Sequence, residues 1–202
     1  MKIICIGRNY AEHITELGNE RPDSPVIFMK PDTALLRNND PFYYPDFSKD
    51  IHYECELLVK IKKEGKSIDA KFAAKYYDEI GLGIDFTARD IQSQAKEKGL
   101  PWERAKAFNG SAPVSNFISK DGFDLTDTSF QLELNGDMVQ EGNTSLMLWP
   151  IDELIAYVSN YFTLKTGDII FTGTPKGVGP IKIGDRLRGM LSGQEMFNFE
   201  VK

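Results

Sequence analysis

Two glutamates stand one residue apart, Glu54 and Glu56, in a run that reads as a β-strand over residues 51–61 (IHYECELLVKI). Alternate strand residues point the same way. Both carboxylates, with His52, therefore leave on one face roughly 7 Å apart, and Ile51, Tyr53, Cys55, Leu57, Val59 and Ile61 leave on the other. Like charges that close repel unless a positive group lies between them, and a divalent cation held by oxygen ligands is the natural candidate. A strand with one wet face also carries acidic residues with no cation among them, so the pair alone leaves both readings open. A third ligand would decide. Asp85 ends the apolar run EIGLGI, where a carboxylate is costly unless paired or metal-bound. Arg89, four residues on, is its alternative, purely structural partner. His13 and Glu16, three apart, share a helix face. The carboxylate can orient an imidazole that acts as a general base near neutral pH, although an exposed ion pair has the same spacing. Lys106, beside Ala105, Ala107 and Phe108, is either a snorkelling surface lysine or a cation next to a bound anion.

These side chains need elements to hold them. Residues 2–6 read as a buried strand ending at Gly7, residues 9–17 as a short helix, and residues 18–25 (GNERPDSP) as an exposed loop of the kind that forms lids. Residues 26–29 read as a strand and 31–50 as irregular or hairpin structure. Residues 70–77 and 88–98 have helical composition, 79–86 read as a buried strand, and Asn135-Gly136 marks a hairpin. Residues 150–162 form the clearest helix, with Pro150 in its first turn and an apolar stripe of Ile151, Leu154, Ile155, Val158 and Phe162. The run 173–180 is either a tight turn or a nest of backbone N–H groups facing an anion. Gly65-Lys66-Ser67 lacks the upstream glycine of a phosphate-binding loop, since Lys60 stands there, and is expected to be a turn. Strands do not alternate regularly with helices. The fold class is therefore α+β, one β-rich domain over 1–202.

Composition narrows the partners. The chain has 202 residues, 41% hydrophobic and 27% charged, with net charge −6, which disfavours a nucleic-acid or anionic-membrane surface. Its two cysteines, Cys5 and Cys55, lie in apolar strand-like runs and are expected to be reduced, buried thiols. The start MKIICIG is expected not to be a signal peptide, and no apolar stretch reaches membrane-spanning length, so a cytoplasmic protein is expected.

The chain resembles the fumarylacetoacetate hydrolase superfamily. The matching pieces occur in family order: Gly7-Arg8-Asn9-Tyr10, then His13 and Glu16, Phe28-Met29-Lys30-Pro31, and His52-Tyr53-Glu54-Cys55-Glu56. They continue with Asp85-Phe86-Thr87-Ala88-Arg89-Asp90-Ile91-Gln92, Lys106, and Thr172-Gly173-Thr174-Pro175-Lys176-Gly177-Val178-Gly179. The similarity is greatest to the small acylpyruvate hydrolase and oxaloacetate decarboxylase branch, and the separate N-terminal domain of fumarylacetoacetate hydrolase itself is expected to be absent. The resemblance implies a roll of mixed β-sheets with peripheral helices, a homodimer, and Mg²⁺ or Mn²⁺ held by Glu54, Glu56 and Asp85. It implies a His13–Glu16 dyad on a lid over 9–25, a catalytic Lys106, and substrate contacts from Arg8, Tyr10, Gln92, Gly173 and Thr174. The expected activity is metal-dependent C–C cleavage of acylpyruvate-type 2,4-dioxo acids to pyruvate and a carboxylic acid, with decarboxylation of oxaloacetate beside it. The alternatives are an isomerase, decarboxylase or tautomerase of 2-hydroxy-dienedioates or oxaloacetate, and a non-catalytic dicarboxylate-binding protein.

Overall fold

The computed structural model describes every residue except Leu17 and Asn19, which fall in the expected lid segment 9–25 and lie outside the described residues. Six strands form the principal sheet, in the order Val26–Lys30, Ile3–Gly7, Ile169–Phe171, Cys55–Ile61, Tyr77–Ile84 and Ile118–Ser119. Ile3–Gly7 and Ile169–Phe171 run parallel, while the other neighbours are antiparallel, so the sheet is mixed. A second, antiparallel sheet orders Asp137–Asn143, Ser129–Leu134, Arg186–Leu191 and Gln194–Glu200. Its first two strands are the hairpin expected at Asn135-Gly136. The α-helices among the described residues are α1 (Ala11–Glu16), α2 (Ala70–Ala73), α3 (Arg89–Glu97), α4 (Glu103–Lys106) and α5 (Ile151–Tyr161). The architecture is the expected β-rich α+β arrangement of mixed sheets with helices around them.

Helix α5 buries Ile151, Leu154, Ile155 and Val158 as its stripe requires, with Pro150 at the N-cap, one position before the first turn. Helix α2 is shorter than its composition suggests. The carbonyl of Tyr76 accepts from Lys62 N at 2.8 Å, so sheet pairing takes over where the helix would have continued. Both cysteines are free and buried. No helix among the described residues is long and apolar enough to cross a membrane.

Residues 51–61 differ from the single half-wet strand expected. They form two strands, Ile51–Tyr53 and Cys55–Ile61, and Glu54 is the corner between them. Ile51–Tyr53 belongs to a small sheet, flanked by Gly179–Pro180 and Thr87–Ala88. Cys55–Ile61 is covered on both faces. Cys55, Leu57, Val59 and Ile61 join the main core, and Leu58 packs with Ile3, Cys5, Val114 and Phe171 on the other side. The face carrying the glutamates is thus interior, and Glu54 and Glu56 are 5% and 2% exposed. Solvation no longer explains them, and they need partners.

Candidate metal centre and active site

Register brings the three carboxylates together. Cys55 pairs with Ile84 and Glu56 with Gly83 in the antiparallel ladder. One step further, Asp85 N donates to Glu54 O at 2.8 Å. Residues opposite one another in such a ladder point to the same side, so Asp85 joins the face of Glu54 and Glu56. One oxygen from each lies within 4.8 Å of the others, and all three residues are buried.

The cations around them were only partly foreseen. Lys106 is not a snorkelling surface residue: it is 3% exposed, and its ammonium bridges Glu54 Oε2 at 2.7 Å and Asp85 Oδ2 at 2.6 Å. Arg89 does not pair with Asp85. Its Nη2 donates to Glu54 Oε1 at 2.6 Å and its Nη1 to Gln92 Oε1 at 2.8 Å. Asp85 instead meets Lys30, whose Nζ lies 2.7 Å from Oδ1. Burial pushes the Glu54 carboxyl up, but Lys106 and Arg89 outweigh it and hold it well below the usual range. Burial, then the charges of Asp85 and Glu54, push Glu56 well above that range. Lys106 is held above its ordinary value because Asp85 and Glu54 together overcome the cost of burial.

Two observations test this donor set against a divalent cation. Asp85 Oδ1 has an ionic neighbour but no aligned hydrogen bond, which leaves a buried oxygen with an unused lone pair. Glu56 accepts from Gly173 N at 2.6 Å yet remains reluctant to ionise beside two other carboxylates, a strain that a cation among them would remove. Three hard oxygen donors with room for water suit Mg²⁺ or Mn²⁺. The cleft encloses about 40 Å³, space for an ion and a few waters at roughly 10–15 Å³ each.

His13, on α1, lines the same cleft as Glu54, Glu56 and Asp85. Its Nδ1 lies 3.1 Å from Glu16 Oε2. A carboxylate can only accept, so Nδ1 carries the proton and Nε2 is the basic nitrogen. The other oxygen of Glu16 accepts from Gly177 N at 2.9 Å, and Glu12 pairs with Lys176 at 3.0 Å. Helix α1 is therefore fastened to the glycine-rich loop that also carries Thr174.

Arg8, Gln92 and Thr174 also line the cleft. Tyr10 does not: it is 2% exposed, pairs with Met147, and its hydroxyl has no hydrogen-bond partner among the described residues. Gly173 sits behind the surface as well, because its N–H is taken by Glu56. It has φ +103° and a Cβ there would come 2.7 Å from Asn9 Cβ, so only glycine fits. Thr174 is committed too. Its hydroxyl donates to Cys55 O at 2.8 Å and accepts from Gln140 Nε2 at 2.9 Å, which leaves no hydroxyl proton for a substrate.

Gln140 and Lys30 are the residues that sequence reasoning missed as parts of the site. Gln140 Oε1 also accepts from Cys55 N at 2.9 Å, so Gln140 and Thr174 together clamp both backbone groups of the residue between the two glutamates. A glutamine in the polar strand MVQEG carries no sequence signal for this. Lys30, 1% exposed, did carry one: a lysine closing the apolar run VIFMK. Its ammonium is also held by Ser111 O and Oγ, both at 3.1 Å, and by the Lys106 carbonyl. Lys30→Met is expected to lower stability by about 3–5 kcal/mol, the range for breaking a buried pair. Urea unfolding of the two proteins checks this, and an unchanged midpoint would contradict it.

Residues 2–200 match the family described as fumarylacetoacetate (FAA) hydrolase C-terminal. The chain is 42% identical over 201 residues to the mitochondrial oxaloacetate tautomerase FAHD1 of Bos taurus, covering 99% of this chain and 91% of that one. It is 42% identical over 197 residues to the oxaloacetate tautomerase YcgM of Escherichia coli (strain K12), covering 96% and 90%. A crystal structure of fumarylpyruvate hydrolase from Pseudomonas aeruginosa in complex with Mn²⁺ and pyruvate superposes with TM-score 0.94 at 32% identity, covering 100% of this chain and 89% of that one. The protein whose carboxylates, lysines and His–Glu pair have just been described belongs to the fumarylacetoacetate hydrolase family.

Proposed function

We propose that this protein is a divalent-metal-dependent enzyme acting on small 2-oxo dicarboxylic acids, with keto–enol interconversion of oxaloacetate as its main reaction. The observation that carries this reading is a proton-transfer pair, His13 and Glu16, beside three converging carboxylates in a cleft of about 40 Å³. Glu54, Glu56 and Asp85 would hold the cation, which supplies Lewis acidity toward the keto oxygen and neighbouring carboxylate of a 2-oxo acid.

The rest is the work of side chains. His13 Nε2 takes the proton from the enol hydroxyl. The imidazolium, held by Glu16, returns a proton at C3, and the reverse path forms the enol. One base serves both positions and no water is consumed. Gln92 keeps its amide N–H groups for the substrate, since Arg89 occupies its oxygen. Helix α1, tied down by Glu16 and Glu12, excludes bulk water. The cleft is too small for a whole substrate, so α1 or the rim side chains must yield on entry. The two tautomerases of similar sequence support the same reading.

Hydrolysis of acylpyruvates is the second reading, favoured by the likeness to the fumarylpyruvate hydrolase and by a dyad equally able to deprotonate water. Loss of enol absorbance from oxaloacetate, run beside pyruvate release from acetylpyruvate, fumarylpyruvate and oxaloacetate in Mg²⁺, Mn²⁺ and EDTA, tests both. Ketonisation that outpaces pyruvate release and stops in EDTA is expected. Faster cleavage of either acylpyruvate would make hydrolysis the main activity. Binding without any turnover would make the protein a dicarboxylate carrier.

A further inference from the structure

With all three carboxylates ionised, as a bound cation would require, the side chains of the centre balance one another and the cation's own charge is the excess. Glu54, Glu56 and Asp85 face Lys30, Lys106 and Arg89, three acids against three bases. A divalent ion among them leaves a surplus of about two positive charges, which suits a dianion.

Helix α3 continues the positive surface outward. Arg89, Gln92 and Lys96 stand at i, i+3 and i+7 and share one face. Lys96 lines the cleft together with Trp102, and its Nζ lies 5.8 Å from the Trp102 ring centroid. It lies one helical turn beyond Gln92, about 6 Å along the axis. The carboxylate oxygens at the two ends of a four-carbon diacid are separated by a similar span, given carbon–carbon bonds of about 1.5 Å. Arg89 and Lys106 are occupied by Glu54 and Asp85, whereas no ion pair among the described residues includes Lys96. Burial pulls its pKa below the ordinary lysine value, and the charges of Arg89 and Arg8 pull it further. An anion seated there would relieve that repulsion.

We infer that Lys96, with Trp102 behind it, is the subsite for the second carboxylate of a four-carbon 2-oxo diacid, and that its pairing with that carboxylate steers the enzyme toward proton transfer and away from decarboxylation. The inference rests on the oxaloacetate reading for its substrate. Loss of CO₂ breaks the C3–C4 bond. The bonding pair moves to C3 and on to the C2 oxygen, C4 leaves as neutral CO₂, and the enolate then takes a proton at C3 to become pyruvate. The charge on C4 disappears along that path, so a cation paired with it stabilises the ground state more than the transition state and slows the step. Moving a proton between the C2 oxygen and C3 leaves the C4 charge in place and is not opposed.

Malate and lactate, unreactive 2-hydroxy acids that differ in the distal carboxylate, serve as binding probes in Mg²⁺, with calorimetry as the readout. The wild-type protein is expected to prefer malate by about tenfold or more, Lys96→Met to lose the preference, and Lys96→Arg to keep it. With oxaloacetate, Lys96→Met is expected to raise pyruvate formed per molecule ketonised several-fold. Lys96 belongs to neither hydrophobic cluster of the core, so these variants leave the core intact. A malate preference retained in Lys96→Met, or an unchanged product ratio, would overturn the inference. Wild-type protein that prefers malate yet converts no oxaloacetate would count against the oxaloacetate reading and in favour of the subsite.

Discussion

Asp85→Asn is expected to bring metal-dependent turnover of oxaloacetate to background. It is also expected to weaken Mn²⁺ binding by more than the roughly 10–100-fold that loss of an outer-shell partner costs. The substitution preserves shape and removes one negative charge from the centre. Asp85 is the member of the triad that meets both buried lysines, Lys30 at 2.7 Å and Lys106 at 2.6 Å. An amide offers a single neutral oxygen in its place and leaves an excess of positive charge where a cation should enter. The fold is expected to survive in weakened form, because Lys106 retains Glu54 and Lys30 retains the carbonyls of Ser111 and Lys106. Circular dichroism in EDTA separates unfolding from loss of a ligand. Ordinary rates in Mg²⁺ with unaltered Mn²⁺ affinity would refute the ligand role of Asp85.

His13→Ala is expected to slow keto–enol interconversion by about 10²–10⁴-fold, the usual worth of a positioned general base. Hydrolysis of any acylpyruvate should fall by a similar factor, since it also needs a proton removed. Decarboxylation of oxaloacetate should fall far less, because its C–C cleavage step consumes no base. Parallel steady-state assays of ketonisation and pyruvate release give the comparison directly. Equal losses in both would mean that His13 acts by holding the substrate or closing the cleft. The fastening of α1 through Glu16 and Gly177 makes that alternative a physical one, so the split between the two rates is the informative quantity.

The two reactions share an electronic demand and differ in what leaves. On the reading proposed above, proton transfer and CO₂ loss both place charge on the C2 oxygen, and a cation held by Glu54, Glu56 and Asp85 would favour them alike. What separates them must lie outside the triad, at the base on α1 and at the far end of the substrate.

Much of this centre was readable from order and spacing along the chain. Glutamates two apart in an extended run must share a side, and a histidine three residues from a glutamate on a helix can meet it, because both follow from local geometry with fixed periods. Helix α5 and the Asn135-Gly136 hairpin were legible for the same reason. Which side was interior was not. The glutamate face looked solvated until Leu58, Ile3, Cys5, Val114 and Phe171 proved to pack along it. Nor could spacing show that Arg89 turns to Glu54, that Lys30 reaches Asp85 from 55 residues away, or that Gln140 clamps Cys55. Those contacts depend on ladder register and on strands from distant parts of the chain, and burial then compels every charge it encloses to find a partner. Local periodicity names the groups able to do chemistry; long-range packing chooses their counterions, and with them their protonation.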